Sequence, residues 1–121
     1  MQIYVAHSSN FDFKQKLYIP LRGSALNTEH EIFLPQEGEI EEITRDMISN
    51  CDVLVAEVSA PSLGVGVEIG WADAAGVPVV VMYEKGAHVS WSIDNAETER
   101  FEYENADDML AQLTAALKKF S

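Results

Sequence analysis

Short apolar runs alternate along the chain with segments whose apolar residues recur every three or four positions. Runs with the length and β-branched content of buried strands predict strands at 2–6, 31–34, 53–58 and 78–83. A fifth segment, 100–104, alternates Phe101 and Tyr103 with polar residues, which is typical of a half-exposed edge strand. These five segments are the predicted strands of one sheet.

Helical spacing fills the intervals between the first three strands. From Phe11 the apolar residues follow a helical period, and we expect Pro20 to end this helix near Tyr18 or to restart a short one through Leu26. Residues 38–50 form a clearer predicted helix, because its first turn is acidic. Its apolar face consists of Ile40, Ile43, Met47, Ile48 and Cys51.

Two more helices are predicted in the second half of the chain. One follows the third strand and ends at Gly76, and the other is capped by Asn105. Asp107 and Asp108 lie in the first turn of that last helix, as the helix dipole favours. Residues 84–95 contain Gly, His, Ser and Trp, and we interpret them as a functional loop with one helical turn.

This alternation predicts a single α/β domain over residues 1–121. Strands that alternate with helices form a parallel sheet covered by helices on both faces, a flavodoxin-like, Rossmann-like three-layer fold. We expect the strand order 2-1-3-4-5. In such sheets ligands bind at the carboxyl edge where the strand order reverses, here between the first and third strands.

Composition narrows the possible partners. The net charge of −12 argues against a nucleic acid polymer, since phosphate backbones are bound by Lys and Arg. No apolar stretch approaches 18 residues, so we expect a cytoplasmic domain with no membrane partner. The single Cys51 has no partner for an internal disulfide. His7, His30 and His88 lack metal-ligand spacing, and neither a metal nor a cofactor is predicted.

The turn after the third strand carries the strongest candidate for chemistry. Gly64 and Gly66 let a ligand approach the backbone, and we expect the helix to begin just after them, with free N–H groups facing an anion. Glu68 would then occupy the first helical turn, where the dipole favours its ionised form by roughly 0.3–1 kcal/mol. A carboxylate there is a base or nucleophile, or it simply favours helix formation, as acidic residues in first turns do.

The parallel sheet brings other polar residues to the same edge. His7 and Ser8 follow the first strand, and Ser90 lies in the loop after the fourth. Because parallel strands end at one edge, these residues converge with Glu68. His7 is either a ligand contact or a cap, and Tyr4 is either part of the site or a core residue with a satisfied hydroxyl.

The block from Asp52 through Pro61-Ser62-Leu63-Gly64-Val65-Gly66-Val67-Glu68-Ile69-Gly70 closely resembles the nucleoside 2-deoxyribosyltransferase family. Within that family it is most similar to the 2′-deoxynucleoside 5′-monophosphate N-glycosidases. The resemblance implies that Glu68 is the nucleophile and that Tyr4 matches the tyrosine of the first strand. It also implies that Ser62 contacts a 5′-phosphate.

The same resemblance implies a homodimer, in which Ser90 of the neighbouring subunit completes the phosphate site. The chain departs from the family at its assisting aspartate. Thr44 occupies that spacing, and Asp46 lies two residues further on.

The implied reaction is cleavage of the N-glycosidic bond of a small nucleoside or nucleoside 5′-monophosphate. A carboxylate traps the developing oxocarbenium ion at C1′, and the sugar then passes to water or to another base. Asp46 or His7 would protonate the departing base. The alternatives are a nucleotide-binding or sensor module with weak catalysis, and a flavodoxin-like carrier of FMN.

Overall fold

The computed structural model describes residues 1–38 and 42–121. It contains a five-stranded, entirely parallel sheet with the order β2-β1-β3-β4-β5. The predicted fold class and strand order are therefore confirmed. The strands are β1 Gln2–His7, β2 Glu31–Phe33, β3 Val53–Glu57, β4 Val79–Glu84 and β5 Glu99–Tyr103.

Strand register places the ends of the central strands side by side. β1 and β3 pair from Ile3 opposite Val53 to His7 opposite Glu57. β3 continues the alignment to β4, where Glu57 is opposite Met82. Since all pairs are parallel, the loops that follow β1, β3 and β4 leave the sheet at one edge.

Two apolar clusters, one on each face of the sheet, form the core. Alternating residues of the strands point to opposite faces, so Val53 and Val55 join one cluster while Leu54 and Ala56 join the other. The first cluster includes α1 (Ile19–Arg22) and α5 (Ala106–Leu117). The second includes α3 (Arg45–Ser49) and α4 (Leu63–Ala74). Helices thus cover both faces, as predicted.

The first helical region differs from its prediction. A π-helix, Lys14–Tyr18, runs directly into α1. The π-helix ends at Tyr18, and Pro20 lies in the first turn of the short α1 that follows, a position that proline tolerates. A separate short helix, α2, follows at Leu26–Glu29.

The predicted helix over 38–50 is shorter in the structure. Glu39, Ile40 and Glu41 lie outside the described residues, and residues 42–44 are not helical. α3 begins at Arg45 because Thr44 has an extended backbone and its hydroxyl accepts a hydrogen bond from the Met47 amide at 3.4 Å. The apolar spacing of this segment indicated a helix correctly, but its N-cap lies further along the chain.

The last elements agree closely with expectation. The Asn105 side chain caps α5 by accepting a hydrogen bond from the Asp108 amide at 2.8 Å. The loop after β4 contains one 3₁₀ turn, Trp91–Ile93. Within residues 1–38 and 42–121, no helix is long and apolar enough to cross a membrane.

Candidate active site

The helix that carries Glu68 begins earlier than the glycines suggested. α4 begins at Leu63, and Ser62 is its N-cap, with a hydroxyl that accepts a hydrogen bond from the Val65 amide at 3.3 Å. The expected start after Gly66 is therefore wrong, because Ser62 caps the helix and the buried side chains of Val65 and Ile69 pack it onto the sheet despite the glycines. Glu68 is the sixth residue of α4, beyond the first turn in which the dipole acts.

The glycines instead keep the surface of the first helical turns open. A Cβ atom on Gly64 would meet only the Ser62 hydroxyl, at 3.7 Å, and one on Gly66 would meet nothing within 4 Å. Gly64 is four residues before Glu68 and so lies on the same side of the helix, one turn away. The amides of Leu63 and Gly64 precede the first intrahelical bonds and can donate to an anion.

Tyr4 and Glu68 form the candidate catalytic pair. Tyr4 is 2% exposed, and its buried hydroxyl has no hydrogen-bond partner among the described residues. Burial raises the pKa of this phenol, and the neighbouring Glu68 carboxylate raises it further. The two groups thus influence each other without reaching hydrogen-bond geometry. The Tyr4 O–H is left free to donate to the carboxylate or to a bound group.

Burial governs the chemistry of the Glu68 carboxyl. Glu68 is half-buried, and desolvation raises the pKa of its carboxyl, while the neighbouring Tyr4 hydroxyl lowers it in part. A partly desolvated carboxylate has less hydration to lose than an exposed one when it approaches a cationic centre. The arrangement suits a nucleophile or base.

A cavity of about 310 Å³ adjoins Tyr4 between the sheet and α3. The Phe33 ring, 5.4 Å from the Tyr4 ring, and the side chain of Met47 line it. Its volume is within the range of small-molecule sites, and its wall is both aromatic and polar, since Gln2 and Glu31 also contribute.

A larger cavity, of about 720 Å³, lies on another side of α4. Its wall includes Ser62, Gly66 and Ser90 but neither Tyr4 nor Glu68. Helix geometry explains the separation, because two residues advance about 200° around an α-helix, so Gly66 and Glu68 point to nearly opposite sides. The structure brings Ser62 and Ser90 together on the wall of the larger cavity, and Glu68 lies in the wall of neither cavity.

His7 is fully committed to the scaffold. Its Nδ1 faces the Ser8 carbonyl at 3.0 Å and must donate to it, so Nε2 accepts the hydrogen bond of the Tyr18 hydroxyl at 2.6 Å. Burial lowers the pKa of the imidazole, which stacks on Phe13 with ring centroids 4.4 Å apart. With both nitrogens occupied, His7 has no donor for a departing base.

The remaining predicted site residues differ in exposure. Ser8 is buried, and its hydroxyl accepts a hydrogen bond from the Asn10 amide at 3.1 Å. Ser90 is exposed and bonds the Ser92 hydroxyl at 2.7 Å. Asp46 is exposed in the first turn of α3, next to Met47 of the smaller cavity.

Two polar features escaped sequence reasoning. The sequence places Tyr18 at an apolar position of a predicted helix, yet its hydroxyl forms a hydrogen bond with His7. Glu57 is fully buried at the end of β3, where Tyr103 donates a hydrogen bond to it. A charged residue inside an otherwise apolar strand was the available signal for Glu57. Within the described part of the chain, no group of three His, Cys, Asp or Glu residues could hold a metal ion.

Comparison with known proteins relates this chain to a family. The sequence model described as nucleoside 2-deoxyribosyltransferase matches residues 3–107. The chain belongs to this family. A Thermofilum pendens member named 2′-deoxynucleoside 5′-phosphate N-hydrolase 1 is 37% identical over 108 residues, which cover 79% of this chain and 76% of the relative.

Two further matches agree with the assignment to the nucleoside 2-deoxyribosyltransferase family. A Syntrophotalea carbinolica protein of the same name is 52% identical over 40 residues, which span 33% of this chain and only 28% of that relative. The structure of a Clostridium botulinum CMP N-glycosidase superposes with a TM-score of 0.72 at 18% identity, covering 96% of this chain and 99% of the other. The homologues are thus named as enzymes, and the fold is shared.

Proposed function

We propose that this chain cleaves the N-glycosidic bond of a small deoxynucleoside or nucleoside 5′-monophosphate with Glu68 as the nucleophile. The observation that carries the proposal is the pairing of a half-buried carboxylate with a buried, unpartnered tyrosine hydroxyl. Family membership and the names of the homologues support the reaction class.

The reaction proceeds in two displacements. A Glu68 carboxylate oxygen bonds to C1′ as the C1′–N bond breaks, and the bonding electrons leave with the base. Tyr4 donates its O–H to the other carboxylate oxygen and orients it. Water, or a nitrogen of a second base, then attacks C1′ and gives its proton to the Asp46 carboxylate, while the C1′–O bond breaks and releases Glu68.

The departing base needs a proton, and we assign its delivery to Asp46. α3, which carries this residue, packs against α4, and the adjacent Met47 lines the cavity beside Tyr4. Thr44, at the spacing of the family's assisting aspartate, is occupied in capping α3. A base protonated as it leaves is the better leaving group.

The start of α4 supplies an anion site for a 5′-phosphate. The Ser62 hydroxyl accepts from the Val65 amide and keeps its own proton for donation. The free amides of Leu63 and Gly64 point from the same helix end, where the dipole favours negative charge. Both features are compatible with the overall charge of −12, because the attraction is local.

We further propose that two copies assemble into a homodimer in the cytoplasm. Leu63 is 88% exposed and Trp91 83%, and both border the larger cavity that contains Ser62 and Ser90. Together with Val67 and Ile93 of the same cavity wall they form an apolar surface of the kind that marks a protein interface. Association through this face would bring the 88–93 segment of one chain to the Ser62 end of α4 in the other.

The test is a panel of nucleosides and their 5′-monophosphates, with free base measured by chromatography. We expect release from at least one deoxyribonucleotide and its loss in Glu68→Ala. Tight binding without release from any compound would contradict the proposal and support the nucleotide-binding module instead.

A further inference from the structure

Glu57 is a buried charged residue that the proposed reaction does not use. It ends β3 and is 0% exposed. One carboxylate oxygen accepts a hydrogen bond from the Tyr103 hydroxyl, and the other accepts one from the Ser59 amide at 2.5 Å. A buried carboxyl group destabilises the fold unless its oxygens accept hydrogen bonds, and each Glu57 oxygen accepts one.

The same contacts fix the turn that leads to α4. The Ser59 hydroxyl accepts a hydrogen bond from the Glu84 amide at 2.8 Å, and the Val58 amide donates to the Met82 carbonyl at 2.9 Å. Residues 58 and 59 are therefore tied to β4, and through Glu57 to Tyr103 of β5.

Only Ala60 and Pro61 separate Ser59 from Ser62, the N-cap of α4. A change at the Ser59 amide is therefore transmitted over a very short length of chain to the Ser62 hydroxyl and the first free amides of the helix. Hydrogen-bonding groups that bind an anion must be held within a fraction of an ångström of their working positions.

We infer that Glu57 is a positioning residue that fixes the turn from Ser59 to Ser62 for recognition of a substrate phosphate. The inference rests on the proposed function, because it concerns the phosphate end of that substrate. Glu57 makes no contact with the ligand and acts through the Ser59 amide.

The test compares Glu57→Gln with Glu57→Met in a Glu68→Gln background, where the ligand is bound but not cleaved. Glutamine keeps an acceptor for the Ser59 amide, whereas methionine has similar length and none. Calorimetry with dGMP and deoxyguanosine measures whether the effect belongs to the phosphate. We expect Glu57→Met to weaken dGMP binding at least tenfold and Glu57→Gln to weaken it less than about threefold, with deoxyguanosine binding changed less than about twofold.

A second variant keeps the test decisive if Glu57→Met is too unstable to purify. Tyr103→Phe removes one oxygen and leaves the ring packing, so dGMP binding should weaken in the same direction by a smaller factor. Equal losses for dGMP and deoxyguanosine, or a lower melting temperature with unchanged dGMP affinity, would show that Glu57 is only structural. If the background protein binds neither compound, calorimetry uses the 5′-monophosphate of the panel that the parent protein cleaves, together with its nucleoside. A background protein that binds no compound of the panel would overturn the proposed function as well.

Discussion

Two buried tyrosines, on opposite faces of the sheet, have opposite hydrogen-bonding states. The Tyr18 hydroxyl accepts from the Gln36 amide at 2.9 Å and donates to His7 at 2.6 Å. The Tyr4 hydroxyl has no partner among the described residues and lies near the Glu68 carboxylate. Burial raises the pKa of Tyr18 to about 12, and it raises that of Tyr4 as well.

The difference separates scaffold from site. The Tyr18 hydroxyl links His7, at the end of β1, to the Gln36 amide, and its proton is already donated, so it has no donor for a ligand. An unsatisfied buried hydroxyl carries a desolvation cost of about 1–3 kcal/mol that folding alone does not offset, and such groups are typical of functional sites. The four predictions below test this division, beginning with the largest expected effect.

Replacing Glu68 should abolish catalysis and stabilise the fold. Glu68→Gln is expected to reduce base release more than roughly a thousandfold, because the nucleophile is lost. Burial raises the pKa of Glu68, so its ionised form is disfavoured in the folded protein. The neutral side chain should therefore raise the melting temperature at pH 7 by a few degrees.

That stability difference has a predicted pH dependence. A carboxyl with a raised folded-state pKa loses stability as pH rises through that pKa, so the two proteins should converge in acid. Asp73→Asn, an exposed acid on the same helix, is the matched control and should retain activity. Release by Glu68→Gln at near the parent rate would refute the assignment.

Removing the Tyr4 hydroxyl should reduce the rate without weakening the fold. Tyr4→Phe is expected to lower kcat about 10- to 100-fold, since the carboxylate loses its orienting donor. The melting temperature should stay the same or rise, because in the free protein the Tyr4 hydroxyl is buried without a hydrogen bond to the described residues, and it donates to Glu68 only during the proposed reaction. Steady-state kinetics measures kcat, and thermal unfolding measures the melting temperature. An unchanged kcat would show that Tyr4 is a core residue with no role in the reaction.

Removing the Tyr18 hydroxyl should have the reverse effect. Tyr18→Phe leaves the His7 ring nitrogen and the Gln36 amide unpaired, so the free energy of unfolding should fall by about 1–3 kcal/mol. kcat should change less than about threefold at a temperature where the variant is folded. Urea titration measures the free energy of unfolding. A large loss of kcat with unchanged stability would contradict the assignment of Tyr18 to the scaffold and Tyr4 to the site.

Lowering the pH should reduce the stability of the folded protein through His7, whose buried imidazole resists protonation. Burial lowers the pKa of this imidazole, so the unfolded chain binds a proton first as pH falls below about 6.5. Stability present above that pH is then lost. Between pH 7 and 5.5 the parent should lose up to about 1 kcal/mol more than His7→Gln in urea titrations. Parallel losses in the two proteins would show that His7 does not titrate on unfolding.

The strand and helix pattern predicted the fold because burial fixes it. β3 and β4 are apolar up to their carboxyl ends, where Glu57 and Glu84 lie, since both faces of the sheet are covered. α5 carries its cap in its sequence at Asn105. The start of α4 was mispredicted because two nearby residues favour different helix boundaries. Ser62 and Gly66 each favour a helix boundary. The helix begins directly after Ser62, because the Ser62 hydroxyl accepts a hydrogen bond from the Val65 amide.

The site was only partly predictable for a related reason. The sequence predicted that His7 and Glu68 converge at one edge of the sheet. In the structure His7 bonds Tyr18 at the end of β1, whereas Glu68 lies in the second turn of α4 beside Tyr4. The sequence could not show that Tyr18 would occupy the last free nitrogen of His7, because that contact depends on a π-helix in the 14–18 segment. Nor could it show on which side of α4 the Ser90 loop would lie.

The central claim is a covalent bond between Glu68 and C1′, and the stereochemistry of transfer tests it most directly. When a β-deoxynucleoside 5′-monophosphate is cleaved in the presence of methanol, two displacements at C1′ give the β-methyl glycoside, with configuration retained. Proton NMR of the product distinguishes the two anomers. The account predicts the β anomer from the parent enzyme and no methyl glycoside from Glu68→Gln, whereas the α anomer would show direct attack on the substrate and contradict it.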